Sequence, residues 1–298
     1  MRVSSQRWLW PLLLFGQSVC AQTVVHDDEK LTADRPEAWA MNYMAASTFM
    51  TAFGETPALA PGHWNAALDL GEIPSLSRSQ RQVGLHGIKI EDLNKSPVFG
   101  RLRLALGLPA EWIAEFGYTP PLAINGTRAQ GLVALALGRR LIEGRAWTLS
   151  ARAFGQHGSV HGDITCPAEL AGVSDTDANP FGCQSASNDR VTLNYFGTDL
   201  TAGGGSGDWH WHAGLGVVRT ELAAQLDALT FSFRDRSRLT ANGVQRFVVA
   251  GIGRGLNPQW SLGAELLYVP LSVRRDPDAG SGNDSLTSFR LQLRYRRD

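Results

Sequence analysis

The segment Trp209–Val217 reads WHWHAGLGV and follows the turn-rich stretch TAGGGSGD. Apolar residues occupy every second position, and the residues between them are histidine or glycine. This period of two predicts a β-strand, because successive side chains of a strand point to opposite faces. The alternating stretch is about as long as a tilted strand that crosses a bilayer, which takes roughly ten residues.

Four other tryptophans occupy the same kind of position, just after a turn-like stretch and at the start of an alternating segment. Indole rings settle at the membrane–water boundary, because the apolar ring body and the N–H group prefer different solvents. The repeated order of turn, tryptophan and alternating strand therefore predicts one aromatic girdle of a transmembrane β-barrel. The predicted girdle consists of Trp64, Trp112, Trp147, Trp209 and Trp260.

Charged residues fall almost wholly on the face opposite the apolar one, as where Arg101 and Arg103 alternate with Leu102 and Leu104. A charge facing lipid near the midplane would cost about 2–4 kcal/mol, so we assign the polar face to the lumen. A soluble sandwich also alternates, but a polar face rich in Gly, Ala and Ser suits a narrow, packed lumen better. The predicted lumen-lining residues are Asp69, Arg101, Arg103, Glu111, Glu115, Arg152, His210, His212, Arg246, Glu265, Arg290 and Arg294, with Arg254 sharing the pattern.

The connections between the predicted strands fall into two classes. Those before each tryptophan are short, whereas the others are longer and more polar, at 73–97, 119–129, 158–190, 220–243 and 271–284. Outer-membrane barrels have short turns on the periplasmic side and long loops outside. Five upward strands and five returns predict an all-β, up-and-down antiparallel barrel of about ten strands, with both chain ends in the periplasm. An extra hairpin in 225–243 would make twelve.

The start of the chain predicts export. Arg2 and Arg7 precede the apolar core Trp8–Gly16, and Val19-Cys20-Ala21 is a small-residue cleavage site, as in a secretory signal that is removed near Ala21. The apolar core is too short to span a bilayer as a helix, and the rest of the chain has no apolar run of about 18 residues.

The stretch 31–54 fits two interpretations. Pro36, shortly after Asp34, suits the first turn of a helix, whereas the alternation of Trp39, Met41 and Tyr43 suits a strand. We predict a helix or plug, because one more strand would make the strand count odd. The predicted division is a signal peptide at 1–21, an N-terminal periplasmic or plug segment at 22–60 and the outer-membrane barrel at 61–298.

The charge balance and the cysteines bear on binding partners and on covalent cross-links. The 28 basic residues balance the 28 acidic ones, so we expect no nucleic acid as partner. Cys166 and Cys183 share a polar, turn-rich stretch, which favours a disulfide worth about 3 kcal/mol in the chain-entropy model. Free thiols or a metal site are the alternatives, although the spacing of His157 and His161 to the cysteines matches no standard zinc pattern. We predict no metal and no cofactor.

The chain resembles bacterial outer-membrane β-barrel proteins in its signal, girdle, alternation and turn asymmetry. The segment Glu91–Arg101 (EDLNKSPVFGR), running into 102–109, is similar to a group of uncharacterised proteobacterial barrel proteins. The resemblance implies an outer-membrane barrel, with outer-membrane lipid and the barrel-assembly machinery as partners, but no activity. The chain also resembles, more weakly and in overall architecture, the fatty-acid-channel barrels, which carry an N-terminal plug.

The lumen residues leave several functions open. Buried arginines and carboxylates would form a structural ion-pair network, or they would line an anion-preferring path for a small solute. His210 and His212 suit lumen packing or, with further ligands, a metal site. Solute passage or binding through a narrow, Arg-rich lumen is the predicted function, and a structural or adhesion barrel is the alternative.

A third hypothesis is enzymatic. His157-Gly158-Ser159 ends an upward strand, and some outer-membrane lipases place His and Ser two residues apart on a strand at the membrane edge. The surrounding glycine-rich sequence is ordinary turn material. We therefore predict that the chain is not an enzyme, with no catalytic residue, and keep a lipid esterase as the less favoured hypothesis.

Overall fold

Ten antiparallel strands form the body of the protein in a computed structural model, which describes residues 23–54, 59–231, 233–276, 278 and 280–297. The predicted signal peptide lies outside the described residues. The barrel strands are β1 (Trp64–Glu72), β2 (Val98–Gly107), β3 (Trp112–Tyr118), β4 (Thr127–Glu143), β5 (Thr148–Gly162), β6 (Asp189–Ser206), β7 (Trp209–Gln225), β8 (Arg238–Gly255), β9 (Trp260–Val269) and β10 (Leu286–Arg297).

Each barrel strand pairs with its neighbour in sequence, and the first pairs with the last. Leu293 of β10 lies opposite Leu68 of β1, which closes the sheet into a cylinder without a free edge. The predicted up-and-down antiparallel barrel of ten strands is confirmed.

The outer surface of the barrel carries a band of apolar side chains. On β7, Trp209, Trp211, Leu215 and Val217 are exposed, whereas Val218 between two exposed positions is fully buried. Such an outward apolar band is what a barrel presents to lipid chains.

The five predicted girdle tryptophans lie at one end of the barrel. Four of them are the first residues of β1, β3, β7 and β9, and Trp147 directly precedes β5. The rings of Trp64 and Trp260 lie 6.1 and 5.0 Å from the ring of Tyr295 between them. The turns at this end, 108–111, 144–147, 207–208 and 256–259, are short. We call it the short-turn end.

The other end, the loop end, carries longer connections at 73–97, 119–126, 163–188, 226–237 and 270–285. A disulfide between Cys166 and Cys183 closes part of one loop, as predicted. Short elements within the connections are the helices Arg78–Arg81 and Gly84–Gly87, the 3₁₀ turn Pro109–Glu111 at the short-turn end, and the strands Gln82–Val83, Lys89–Ile90, Ala123–Ile124, Ser272–Val273 and Gly282–Asn283.

A hairpin does form within 225–243, but it stays outside the barrel. Its strands are Ala228–Thr230 and Phe233–Asp235, and Thr23–Val25 adds a third, parallel strand. This small sheet sits at the loop end. The barrel therefore keeps ten strands, and the alternative of twelve is not realised.

The N-terminal segment threads the barrel along its axis. At the loop end, Asp28–Lys30 pairs in parallel with the start of β8. At the short-turn end, Gly62 N donates to Gly107 O at 2.9 Å. Gly107 is required there, because a side-chain carbon would meet the carbonyl oxygen of Ala60 at 2.3 Å. The sequence predicts both chain ends on the side of the short turns. For the N-terminal side this prediction is wrong, because residues 23–30 lie at the loop end and the chain enters the lumen from there.

Helix α1 (Pro36–Ser47) lies inside the barrel, as the helix or plug prediction required. It is buried on nearly every side, and a helix that is buried all round needs apolar or small residues on all faces. Trp39 Nε1 donates to Asp284 O at 2.9 Å, and Tyr43 Oη donates to Pro74 O at 2.9 Å. None of the helices among the described residues is long and apolar enough to span a membrane.

A charge on the outer surface tests the orientation of the barrel in lipid. Leu215→Arg should lower the free energy of unfolding by about 2–4 kcal/mol, because Leu215 lies deep in the apolar band. Ser206→Arg, opposite Trp209 at the girdle, should cost about 0–1 kcal/mol. Denaturant titration of the protein folded in lipid vesicles measures both values, and equal costs at the two depths would contradict the orientation.

Candidate functional site

The end of helix α1 meets arginines from the barrel wall. The last carbonyl groups of a helix have no partner within it and carry partial negative charge. Arg290 Nη1 donates to Phe49 O at 2.7 Å and its Nη2 to Ser47 O at 3.1 Å. Arg101 Nη2 donates to Thr48 O at 2.8 Å. Two guanidinium groups thus bind the carbonyl groups at and just beyond the helix end.

Three further arginines bind the segment that follows. This segment is neither helix nor strand, so its buried carbonyl groups need donors from elsewhere. The donor–acceptor pairs are Arg152 Nη2 with Met50 O at 2.6 Å, Arg103 Nη1 with Thr51 O at 3.0 Å and Arg294 Nη2 with Phe53 O at 3.1 Å. We call Arg101, Arg103, Arg152, Arg290 and Arg294 the arginine cluster, and residues 36–54 the plug.

Two members of the arginine cluster also belong to a chain of ion pairs across the lumen. The nitrogen–oxygen distances are 2.6 Å for Asp69–Arg103, 2.9 Å for Arg103–Glu115, 2.9 Å for Glu115–Arg152 and 2.7 Å for Arg152–Asp199. All five side chains are at most 9% exposed. Buried charges are tolerated when they are paired in this way.

Two glutamines extend this network. Arg101 Nη2 donates to Gln156 Oε1 at 2.6 Å, and Arg294 Nε donates to Gln292 Oε1 at 3.0 Å. Gln292 Nε2 donates in turn to Asp69 Oδ1 at 2.8 Å. Hydrogen-bonded polar side chains therefore lie beside residues 46–53, together with the aromatic rings that pack against Phe49.

A buried histidine–glutamate pair lies beside the plug. His212 Nε2 is 3.1 Å from Glu265 Oε2, and Thr51 Oγ1 of the plug donates to Glu265 Oε1 at 2.6 Å. Within the described ranges, no group of three or more His, Cys, Asp or Glu side chains could hold a metal ion.

The predicted lumen residues divide into three groups. Buried inside the barrel are Asp69, Arg101, Arg103, Glu115, Arg152, His212, Glu265 and Arg290, with Arg294 half-buried. Glu111 and His210 are exposed at the short-turn end, Glu111 in the turn before β3. Arg246 and Arg254 are exposed on the outer face, contrary to the prediction.

The outward direction of Arg246 follows from its neighbours. Arg246 lies opposite Val217, which faces outward, while Phe247 beside it is buried with its ring 5.9 Å from that of Phe49 in the plug. The sequence around it, FVV at 247–249, is apolar on both faces, so the pattern could not decide which face is inside. Arg254 likewise lies opposite Trp209 and faces outward.

Three interior residues escaped the sequence analysis. Asp199 completes the ion-pair chain, Gln156 binds Arg101, and Tyr195 Oη donates to Thr48 O at 2.8 Å. Their signal was parity along strands: residues 152, 154 and 156 share one face of β5, and residues 193, 195, 197 and 199 share one face of β6. Polar residues on that face would have been found by extending the alternation through the less regular segment 191–200.

The proposed esterase pair is not joined by a hydrogen bond among the described residues. Ser159 is fully buried, and its hydroxyl group accepts a hydrogen bond from Arg190 Nε at 3.1 Å. His157 is exposed on the same strand. A hydroxyl group activated for attack would instead be expected within hydrogen-bond reach of the histidine.

Two apolar cavities flank helix α1 in the loop-end half of the barrel. The lateral cavity has a volume of about 300 Å³ and the vestibule cavity one of about 430 Å³. Both are lined by Ala40 and Met44 of the helix and by Leu93 and Ile164 of the loops. The two cavities are therefore neighbours, separated at the Met44 and Leu93 side chains.

The lateral cavity reaches the outer face through a gap in the wall. The pairing of β2 with β3 ends at Leu102 and Tyr118. Beyond this point β3 gives way to Pro120 and Pro121, which have no N–H group to offer to β2. The lining of the cavity includes outer-face residues around the gap as well as interior ones; the apolar outer residues are Leu68, Leu70, Val98, Leu102 and Leu122.

The vestibule cavity contains a buried ion pair. Lys89 Nζ lies 2.6 Å from Glu91 Oε2 and also donates to Thr165 O. Burial raises the pKa of Glu91 to about 7, although Lys89 acts in the opposite direction. A carboxyl group whose pKa is raised on folding disfavours the folded state as the pH rises from about 4.5 to about 7.

No family model matches the sequence, and no curated protein does. Solved structures with some similarity include the outer membrane protease OmpT from Escherichia coli, at 10% identity and a TM-score of 0.39, with 82% of this chain and 100% of that chain covered. The toluene transporter TbuX from Ralstonia pickettii has 10% identity and a TM-score of 0.35, with 82% of this chain and 92% of that chain covered. The attachment invasion locus protein Ail of Yersinia pestis has 9% identity and a TM-score of 0.28, with 80% of this chain and 100% of that chain covered.

The closed sheet, the outward apolar band and the tryptophan girdle define the class of protein: a transmembrane β-barrel. The chain folds as a closed up-and-down antiparallel β-barrel of ten strands, with its own N-terminal segment as the plug.

The ion-pair chain predicts unequal costs for removing arginines. Arg152→Met leaves Glu115 and Asp199 without their shared partner and should lower the free energy of unfolding by about 3–5 kcal/mol. Arg294 bonds, among the described residues, to the neutral acceptors Gln292 Oε1 and Phe53 O, so Arg294→Met should cost about 1 kcal/mol. Denaturant titration measures both, and an equal or reversed order would refute the role of the ion-pair chain.

Proposed function

We propose that the barrel binds small, predominantly apolar molecules in its loop-end half and passes them between the outside and the surrounding bilayer. The observation that carries the proposal is the lateral cavity, because one continuous lining joins interior residues such as Tyr43 and Leu132 to outer-face residues such as Leu70. We further propose that this takes place in a bacterial outer membrane, after export with removal of the signal near Ala21.

The size and chemistry of the cavities support a small apolar ligand. Ligand pockets commonly have volumes of about 300–1,000 Å³ and mainly apolar walls. The two cavities, at about 300 and 430 Å³, meet this description. Transfer of apolar surface from water into such a pocket is favourable by roughly 25 cal/mol per Å².

The side chains between the two cavities allow movement from one to the other. Met44 is half-buried and has three rotatable side-chain bonds, so it adapts to a passing molecule at small cost. Leu93, on a loop, is only partly buried. A molecule entering the vestibule cavity would need these two side chains to rotate, and no barrel hydrogen bond to break, before it reached the gap beside Leu102.

Axial passage of an anion has less support. Every member of the arginine cluster donates to a carbonyl group of the plug, and Arg103 and Arg152 are further paired with carboxylates. An anion moving down the axis would have to displace those bonds and the plug itself. A purely structural or adhesion barrel would need neither the cavities nor the gap.

Photolabelling with a small apolar diazirine tests the route in protein embedded in lipid nanodiscs. The probe partitions into lipid and should label outer-face residues in every variant, which provides an internal control. In the unmodified protein it should also label Met44 and Leu93. Gly100→Trp should reduce the interior labelling at least tenfold, because Gly100 lines the lateral cavity and the indole would fill the gap.

Leu104→Trp is the matched control, since Leu104 is an exposed outer-face residue of the same strand below the gap. It should leave interior labelling unchanged. Absence of interior labelling in the unmodified protein, or equal labelling in Gly100→Trp, would rule out the lateral route. Circular dichroism and the unfolding transition verify that both variants are folded.

A further inference from the structure

Building on the proposed function, we propose that the vestibule cavity selects small apolar molecules that carry one positive charge, such as amines with an aromatic or aliphatic body. The cavity, of about 430 Å³, is bounded by helix α1, barrel strands, loops of the loop end and the small sheet. Leu85 of one loop and Phe231 of the hairpin line the cavity and are also exposed. These two side chains therefore lie at its mouth.

Acidic side chains dominate the charged part of the cavity lining. Lys89 is the one lysine or arginine among the described residues that line it. The acidic residues of the lining are Asp27, Glu29, Glu37, Glu91, Asp189 and Asp235. A cavity lined mainly by one sign of charge concentrates ligands of the opposite sign.

Two basic side chains of the protein neutralise part of this acidic set. Lys89 Nζ lies 2.6 Å from Glu91 Oε2. Arg35 is shared by two carboxylates, with nitrogen–oxygen distances of 3.0 Å to Glu29 and 3.0 Å to Glu37. Three carboxylates of the lining thus share two basic partners.

The other three acidic residues of the lining have no basic partner in the part of the chain that the structure describes. Asp189 is buried and accepts a hydrogen bond from Thr165 N at 2.6 Å, which is a neutral donor. Asp235 is half-buried and accepts one from Ser237 N at 2.9 Å, and Asp27 is exposed. An external cation would therefore supply the countercharge that the protein itself lacks.

The pKa of Glu91 reflects the negative potential of the cavity. Burial raises this pKa to about 7, Lys89 opposes the rise, and the charges of Asp189 and Glu37 add to it. Neighbouring carboxylates thus make the ionisation of Glu91 less favourable, as like charges do. A ligand cation in the cavity would reduce this repulsion.

The cavity wall also shows how an ammonium group is held there. Lys89 Nζ, besides its ion pair, donates to Thr165 O and lies 5.7 Å from the centre of the Phe181 ring. Aromatic faces attract cations at such distances. Phe231 and Phe233 bring two further rings to the same cavity. A ligand can therefore place its charged group beside carboxylates and its apolar body against aromatic side chains.

An organic cation suits this lining better than a metal ion. Nowhere in the described ranges do three or more His, Cys, Asp or Glu side chains form a group that could hold a metal. Met41, Val191 and Leu239 contribute apolar surface to the lining instead. A molecule with both an ammonium group and an apolar body uses the two kinds of surface together.

Three ligands of similar shape and different charge test the proposal: 4-phenylbutylamine, 4-phenylbutan-1-ol and 4-phenylbutanoate. Isothermal titration calorimetry measures their binding to the protein in phosphatidylcholine nanodiscs at pH 7, with empty nanodiscs as the blank. The amine is protonated at this pH, as alkyl amines are. It should bind at least tenfold more tightly than the alcohol, and the carboxylate should bind more weakly than either.

Two double variants locate the effect. Asp27→Asn with Asp235→Asn should weaken binding of the amine at least fivefold and change that of the alcohol less than twofold. Each asparagine retains a side-chain oxygen, so Ser237 N keeps an acceptor. Glu169→Gln with Asp177→Asn is the matched control, because it removes the same charge from exposed loop-end residues outside the lining. It should change neither affinity more than twofold, and circular dichroism verifies that both variants are folded.

Equal affinities of the amine and the alcohol, or equal losses in the two double variants, would overturn the charge preference. The proposed function would survive either result, because binding of the alcohol by itself reports an apolar cavity that admits a ligand. Failure of all three ligands to bind would overturn the charge preference and the proposed function together.

Discussion

The bonds between arginine side chains and the backbone carbonyl groups of the plug are the interaction on which the rest of the structure depends. Residues 36–54 inside the barrel do not pair with the wall's sheet, whose strands have neighbours on both sides along most of their length. The helical hydrogen bonds end with those from Thr48 N and Phe49 N to Ala45 O and Ala46 O, so most carbonyl groups past Ser47 would be buried without backbone donors. The arginine cluster supplies those donors, and the ion-pair chain neutralises part of its charge.

This arrangement divides the lumen into two halves with different properties. Around residues 46–53 the interior is filled by the arginine cluster, the ion-pair chain and aromatic side chains such as Phe247, which packs against Phe49. Towards the loop end, the partners of helix α1 are mostly apolar, and the two cavities lie there. Because the plug occupies the short-turn half, the lateral cavity opens at the gap beside Leu102. This is why we propose a lateral route for apolar ligands rather than an axial path for ions.

Much of the barrel could be predicted from sequence, because lipid and lumen impose opposite demands on alternate residues. The girdle tryptophans, the strand count and the inward direction of Arg101, Arg103 and Arg152 follow from that demand. Arg246 was assigned to the wrong face because Phe247–Val249 is apolar on both faces. The threading of the plug could not be predicted, since the period of a sequence does not encode the end from which a segment enters a barrel. The gap in the wall could not be predicted, because it depends on the residue at which the pairing of β2 with β3 ends.

Hydrogen–deuterium exchange of residues 36–54 in the intact, lipid-embedded protein tests the central claim most directly. If the arginine cluster fixes the plug inside the barrel, the amides of helix α1 should exchange as slowly as those of β7 in the centre of the wall. They should become exposed only when the barrel unfolds. Complete exchange of these amides within seconds, while β7 stays protected, would mean that the plug is not held in the lumen and would contradict the account.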